Sequence, residues 1–275
     1  MTRKKKKPPL PVLAPGNGVI DTHCHLDMLS RDHEIDTIIH SANEAGVKQI
    51  ITVGIDLQSS RKAVQYAEQY PGVYATIGVH PHNVAEITDA YLEQVIQLAD
   101  HPKVVAYGEI GLDFVKLYAP QEMQLEQFER QVKLAKQLSL PLVIHDREAH
   151  EEILAILKKY LPFPDGGVMH CFSGNLEYAK KIIDLGFYIS IPGVVTFNKA
   201  LDLQKVAQQI RLDALLIETD APFLAPEPMR GRKNKPDYVL YTAQKIAELQ
   251  GMTLDEVARI TTENGAKLFL NKIRD

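Results

Sequence analysis

Two cysteines, Cys24 and Cys171, are all that the 275 residues supply. That scarcity excludes a disulfide framework and makes a reducing cytoplasm the expected setting; a Cys24–Cys171 bridge is not expected. Long apolar runs are missing too: nothing approaches the roughly 20 consecutive apolar residues of a membrane span. The lysine-rich start leads into Leu10-Pro-Val-Leu-Ala-Pro15, too short and too broken by proline for the apolar region of a signal peptide. An excess of one charge is also lacking. A formal net charge of −4 gives no global pull towards nucleic acid or an anionic membrane, so any polyanion binding has to be local. No internal repeat is present, and no Gly-x-Gly-x-x-Gly follows the first apolar run, which removes the usual dinucleotide site. Nothing calls for an obligate protein partner.

What the chain does have is an alternation. Short β-branched runs at residues 19–22, 49–53, 73–79, 104–108, 142–144, 167–169, 187–191 and 215–219 are separated by amphipathic stretches at 32–44, 59–69, 90–99, 122–138, 149–160, 176–185 and 202–209. Two more stretches, 237–249 and 254–270, close the chain. Eight strand–helix alternations predict an α/β fold, a (β/α)8 barrel of parallel strands rather than an open doubly wound sheet. Residues 19–275 are expected to form one domain. Residues 1–18 are expected to be a flexible basic tail, whose tethered lysines could add local phosphate affinity.

In such a barrel the chemistry sits at the C-terminal ends of the strands. His23 and His25 end the first run one residue apart, so both would face one side and reach one ion. His80 and His82 follow the third run, Glu109 the fourth, His145 the fifth, His170 the sixth, and Glu218 and Asp220 the eighth. His23, His25, Glu109, His145, His170 and Asp220 are the candidate metal ligands, since imidazole with carboxylate is the usual mixture for Zn, Mn or Fe. One ion does not need so many protein ligands, whereas two ions bridged by a carboxylate do. Asp220, placed to touch both a metal and the attacking water, is the candidate general base. Glu218 is expected to hold a ligand or a loop by hydrogen bonds.

Further residues are expected around this set. His80 and His82, with Pro81 between them, are expected to contact substrate or support the ligands. Arg147 would pair with a phosphate oxygen, and a salt bridge to a neighbouring carboxylate explains it equally well. Ser173, before Asn175 at the start of the sixth helix, offers a hydroxyl beside free N–H groups that favour an anion, and capping explains it almost as well. Arg230 and Arg232, in the cationic loop 229–236, are expected to bind phosphate. His33, His40, His101 and His150 fall away from the mouth and read as surface residues.

The segments Asp21-Thr-His-Cys-His-Leu-Asp27, Gly78-Val-His-Pro-His82, Gly108-Glu-Ile-Gly-Leu-Asp113, Pro141-Leu-Val-Ile-His-Asp-Arg147, His170-Cys-Phe-Ser-Gly174 and Glu218-Thr-Asp-Ala-Pro222 together resemble, in order, the TatD family of metal-dependent deoxyribonucleases among the amidohydrolase-like barrels. The likeness runs from about residue 19 to the C-terminus. It implies a distorted TIM barrel with one or two divalent ions that hydrolyses phosphodiester bonds in DNA, as a 3′-to-5′ exonuclease on single strands. It also implies His23, His25, Glu109, His145, His170 and Asp220 as ligands, with Glu109 in the bridging place that a carboxylated lysine fills in many relatives. The family is described as magnesium-dependent, whereas a histidine-rich shell favours a softer ion, so Mg, Mn and Zn all stand as candidates. Some members deacylate D-aminoacyl-tRNA, which leaves ester or amide hydrolysis at the same site as an alternative. A non-catalytic nucleic-acid-binding protein with structural metals is another, disfavoured because structural sites close at about four ligands.

Overall fold

The structure, a computed structural model, describes residues 8–29 and 35–271. Strands β1 (Val19–Cys24), β2 (Val47–Val53), β3 (Val73–Ile77), β4 (Val104–Asp113), β5 (Leu142–Arg147), β6 (Gly167–Met169), β7 (Phe187–Ile191) and β8 (Leu215–Ile217) pair side by side in sequence order, every pair parallel. Around them lie α1 (Leu26–Leu29), α2 (Ile35–Glu44), α3 (Leu57–Gln69), α4 (Asp89–Gln97), α5 (Gln121–Gln137), α6 (His150–Lys159), α7 (Leu176–Asp184), α8 (Leu201–Gln209), α9 (Val239–Gln250) and α10 (Leu254–Gly265). This is the (β/α)8 barrel that the alternation predicts. Side chains cap four of the helices: Asp56 and Ser59 form a capping box on α3, Thr253 and Glu256 another on α10, Thr88 accepts from Tyr91 N–H on α4 and Asn175 from Tyr178 N–H on α7.

Two apolar clusters fill the space. The larger lies between strands and helices; the smaller, with Ile20, Ile51, Val105, Val143, Val168 and Leu216, occupies the barrel interior and is stoppered by Phe269. Strands buried on both faces read as continuous apolar runs, which is why the sequence marks their cores well. Their mouth-side ends are marked poorly. β4 continues to Asp113 and β5 to Arg147, past the expected limits at 108 and 144, because pairing persists through Gly111–His145 and Asp113–Arg147 after the apolar residues stop. Glycine makes that pairing feasible. At Gly111 (φ 147°) a Cβ would sit 1.9 Å from the His145 carbonyl oxygen, and at Gly108 (φ 144°) 2.2 Å from that of Val143.

Closure between β1 and β8 is irregular, a single bridge joining Cys24 to Ala221. Individual hydrogen bonds replace the ladder. Thr219 donates its N–H (2.9 Å) and hydroxyl (2.6 Å) to the buried Asp21 carboxylate, Asp220 N–H donates to His23 O (2.9 Å), and His25 N–H to Ala221 O (2.8 Å). At the opposite end Asn264 of α10 donates to the carbonyls of Leu212 and Leu215, and Thr262 to that of Gly18. β1 also carries an extra residue: Asp21 lies opposite Ile50 and Cys24 opposite Thr52. Such a bulge re-aims side chains, here His23 and His25.

The expected tail needs a correction at its inner half. Tyr241 hydroxyl donates to Pro8 O (3.2 Å), Ala14 N–H and Asn17 Nδ2 both donate to Asp255 Oδ1 (2.9 and 2.6 Å), and Leu10 and Leu13 pack against the core. Residues 8–18 therefore form a strap over α9 and α10, since their few apolar side chains find cover there. The lysine run at 4–7 and His33 lie outside the described residues. Among the described residues no helix is long and apolar enough to cross a membrane, and both cysteines are free.

Thr219→Val removes the hydroxyl from Asp21 and leaves a buried carboxyl oxygen short of a donor. The expected loss is about 1–3 kcal/mol of unfolding free energy, read from the denaturant midpoint; an unchanged midpoint would show that the seam does not depend on this bond.

Candidate metal centre

Five imidazoles surround one carboxylate at the barrel mouth. Glu109, carried by β4, turns Oε1 towards His145 Nδ1 (2.9 Å), His170 Nε2 (2.9 Å) and His80 Nε2 (3.4 Å), and Oε2 towards His23 Nε2 (3.4 Å) and His25 Nε2 (3.7 Å). Asp220 Oδ1 lies 3.4 Å from His25 Nε2 and 3.8 Å from His23 Nε2. Three groups have donor atoms close enough to share an ion: His23 with His25 and Asp220, His23 with Glu109 and His170, and His80 with Glu109 and His145. The strands deliver these residues from around the barrel, and His23 and His170 stack at 3.8 Å. Behind the ligands, Glu218 is fully buried, accepts Cys171 N–H (2.6 Å) and faces His170 Nδ1 (3.4 Å). It ties His170 and the backbone that follows it to the end of β8.

The carboxylates are held ionised, and the imidazoles divide into lowered and raised groups. Burial pushes the Glu109 carboxyl up, but the charges of His170 and His80 and the hydrogen bonds from His145 and His170 outweigh it and hold the group well below the usual carboxylate range. Asp220 is lowered in the same way, burial being overcome by His25, His170 and His23. Burial drives the His80 imidazole down to about 4, and burial together with His170 lowers His23. His25, His145 and His170 move the other way. Burial pushes them down, but bonds to Asp220 for His25, to Asp113 and Glu109 for His145, and the charge and bonds of Glu109 and Glu218 for His170 outweigh it and raise them. A cation entering this set therefore has to displace protons from those rings. His23 is the sharpest indicator: both ring nitrogens are buried and neither has a hydrogen-bond partner. An unsatisfied buried nitrogen is costly unless something fills its lone pair, and a divalent cation fits this donor set.

A family model described as TatD related DNase matches residues 20–270. The chain belongs to the TatD family. The uncharacterized metal-dependent hydrolase YabD of Bacillus subtilis (strain 168) is 43% identical over 251 residues, covering 91% of this chain and 98% of its own. The 3′-5′ ssDNA/RNA exonuclease TatD of Salmonella typhimurium (strain LT2) is 35% identical over 239 residues, covering 85% and 92%. Among solved structures YJJV, a TatD homolog from Escherichia coli K12, aligns with a TM-score of 0.87 at 34% identity, over 91% of this chain and 97% of that one. The organophosphorus hydrolase of Deinococcus radiodurans, at 12% identity and a TM-score of 0.55 over 94% of each chain, shares the fold alone. This member of the TatD family is thus a metal-dependent hydrolase.

Other expected residues of this TatD-family site fall in different places. His80 is buried; its Nδ1 accepts His82 N–H (3.1 Å), which leaves Nε2 to face Glu109. His82 sits at the rim, its Nε2 2.8 Å from Asp113 Oδ2. Arg147 is half exposed, 3.8 Å from the same oxygen. Ser173 is exposed and does not cap α7, because Asn175 already does. Arg230 lies over the Phe197 ring at 4.6 Å with Glu227 at 3.7 Å, whereas Arg232 is exposed. His150 is not a free surface residue: it bonds Asp146 (2.8 Å) and stacks on Tyr178 at 4.3 Å. Asp113 is the residue that sequence reasoning passed over. Its Oδ1 accepts the N–H groups of Val115 and Lys116, and its Oδ2 faces His82, His145 and Arg147. The signal was available in the spacing, since Glu109, Gly111 and Asp113 share one parity along β4.

Chelation is expected to lower the melting temperature, and added Mn or Zn to restore it; a ligand at 100 times its Kd stabilises by about 2.7 kcal/mol. His170→Ala is expected to carry less metal after dialysis than the parent chain, by elemental analysis. Equal metal content in the two proteins would take His170 out of the ligand set.

Proposed function

We propose that this chain hydrolyses phosphodiester bonds in single-stranded DNA from the 3′ end, using two divalent cations held at the barrel mouth. One observation carries the reading: a single carboxylate, Glu109, presents one oxygen to His145 and His170 and the other to His23 and His25, with Asp220 beside the second pair. His23, His25 and Asp220 would hold one ion, His145 and His170 the other, and Glu109 would lie between. Ions bound there would polarise a phosphoryl oxygen and lower the pKa of a coordinated water. An imidazole-rich set suits Mn or Zn better than Mg, which prefers oxygen donors and retained water. The Salmonella relative is named as a 3′-5′ ssDNA/RNA exonuclease, which supports both the bond and the polarity.

The chain's own groups have separable tasks. Asp220 is kept ionised at a fixed point, its backbone in the left-handed region (φ 54°), its N–H bonded to His23 O and its carbonyl accepting Phe223 N–H (2.8 Å). A carboxylate held this way accepts a proton from water without a search of conformations. Arg147 at the end of β5, and Ser173 and Arg232 on loops at the C-terminal side of the strands, are exposed, where they would steady phosphates. Arg230 contributes less, being engaged by Phe197 and Glu227.

Metal-stripped protein reconstituted in turn with Mg, Mn and Zn, given 5′-labelled single-stranded DNA, should yield a ladder shortened from the 3′ end. Asp220→Asn is expected to lower kcat by about 10²- to 10⁴-fold. A strand left intact with every metal would remove the nuclease reading.

A further inference from the structure

The rings at the mouth form one continuous series of contacts. Phe223 meets His25 edge to face at 5.9 Å, His25 meets His23 at 5.1 Å, His23 stacks on His170 at 3.8 Å, and His170 reaches His145 at 5.6 Å. From there His145 meets His80 at 4.5 Å, His80 meets His82 at 4.4 Å, and His82 meets Tyr118 at 4.8 Å. The interior of this series is buried histidine, yet both ends are exposed: Tyr118 keeps 69% of its surface in water and Phe223 49%. Tyr118 follows β4 and Phe223 follows β8, strands that stand opposite each other in an eight-stranded barrel. Packing explains neither ring. Both are nevertheless held in place: Asp113 ties down the N–H groups of Val115 and Lys116, Tyr118 N–H donates to Lys116 O (2.9 Å), and Phe223 N–H donates to Asp220 O.

We infer that Tyr118 and Phe223 are stacking platforms for the nucleobases on either side of the scissile phosphate, an inference that rests on the nuclease reading above. A phosphate seated on the cations that the proposed function places beside Glu109 and Asp220 would leave its two nucleosides to run outwards in opposite directions, one towards each ring. Stacking accepts any base, because every base has a π-face, and it requires bases that are unpaired and splayed. The platforms therefore select single strands without reading sequence. Arg147, beside Asp113 and His82, adds a cation on the Tyr118 side.

The decisive comparison uses a single-stranded oligonucleotide with natural 3′-terminal nucleotides and one whose last two nucleotides are abasic. The wild-type chain should show a KM for the natural strand lower by roughly 5- to 150-fold per platform. Tyr118→Ala combined with Phe223→Ala should lose that preference with kcat retained, and Tyr118→Phe should keep it. Equal handling of the two strands by wild type, or a preference that survives in the double variant, overturns the platforms and leaves the nuclease reading intact. A binding experiment separates the two failures: metal-loaded protein is titrated into a strand carrying 2-aminopurine at its 3′ end, whose emission falls on stacking. Quenching by wild type and not by the double variant, without cleavage, keeps the platforms and removes the nuclease reading. No quenching by wild type, or equal quenching by both, overturns the platforms.

Discussion

The whole mouth is organised around a negative charge that has been taken out of water. An ionised carboxylate at the depth of Glu109 is tolerated only when it is surrounded by groups that compensate for lost hydration, and the chain meets that demand with imidazoles from β1 and from the ends of β3, β5 and β6. The demand explains features far from the carboxylate. β4 has to lie unusually close to β5 to bring Glu109 to His145, which is why glycine stands at 108 and 111. Glu218 has to sit behind His170, and Asp113 beyond His145, so that the rings face inward. Partners at this second remove orient the ligands.

The same arrangement separates two kinds of residue that the strand ends bring together. Buried ones, from His23 to Asp220, are fixed by several contacts each and form a preorganised polar centre. Exposed ones, Arg147 at the end of β5 and Tyr118 and Phe223 on loops after β4 and β8, stand around it, where a scaffold of strands supports them without enclosing them. On the proposed function, chemistry and recognition would occupy different depths of one opening.

Much of this was legible in the chain, for a physical reason. A strand covered on both faces must be apolar throughout, so a histidine or carboxylate at the end of an apolar run marks the point where the barrel wall stops; His23, Glu109, His145, His170 and Asp220 stand out in that way, and the fold brings their side chains together. What lay beyond reach was contact between segments distant in sequence. Parity with Glu109 along β4 marks Asp113 in the sequence, but its partners His82, His145 and Arg147 come together only when β4 and β5 pair past their apolar parts. His80 differs from His82 in depth, which two similar residues flanking Pro81 do not reveal. The strap at residues 8–18 reads as tail because its partners, Tyr241 and Asp255, are near the other end of the chain.

The irregular junction of the first and last strands has a wider meaning. His23, His25 and Asp220 are the residues whose backbone groups stitch that junction, and their side chains form one of the three groups among the described residues able to hold an ion. An ion gripped by both strands would act as a clasp across the one place where the barrel has no ladder. Linkage then runs in both directions: conditions that loosen the junction weaken the hold on the ion, and occupancy of the site stiffens the barrel. Catalytic readiness and closure of the fold become a single equilibrium.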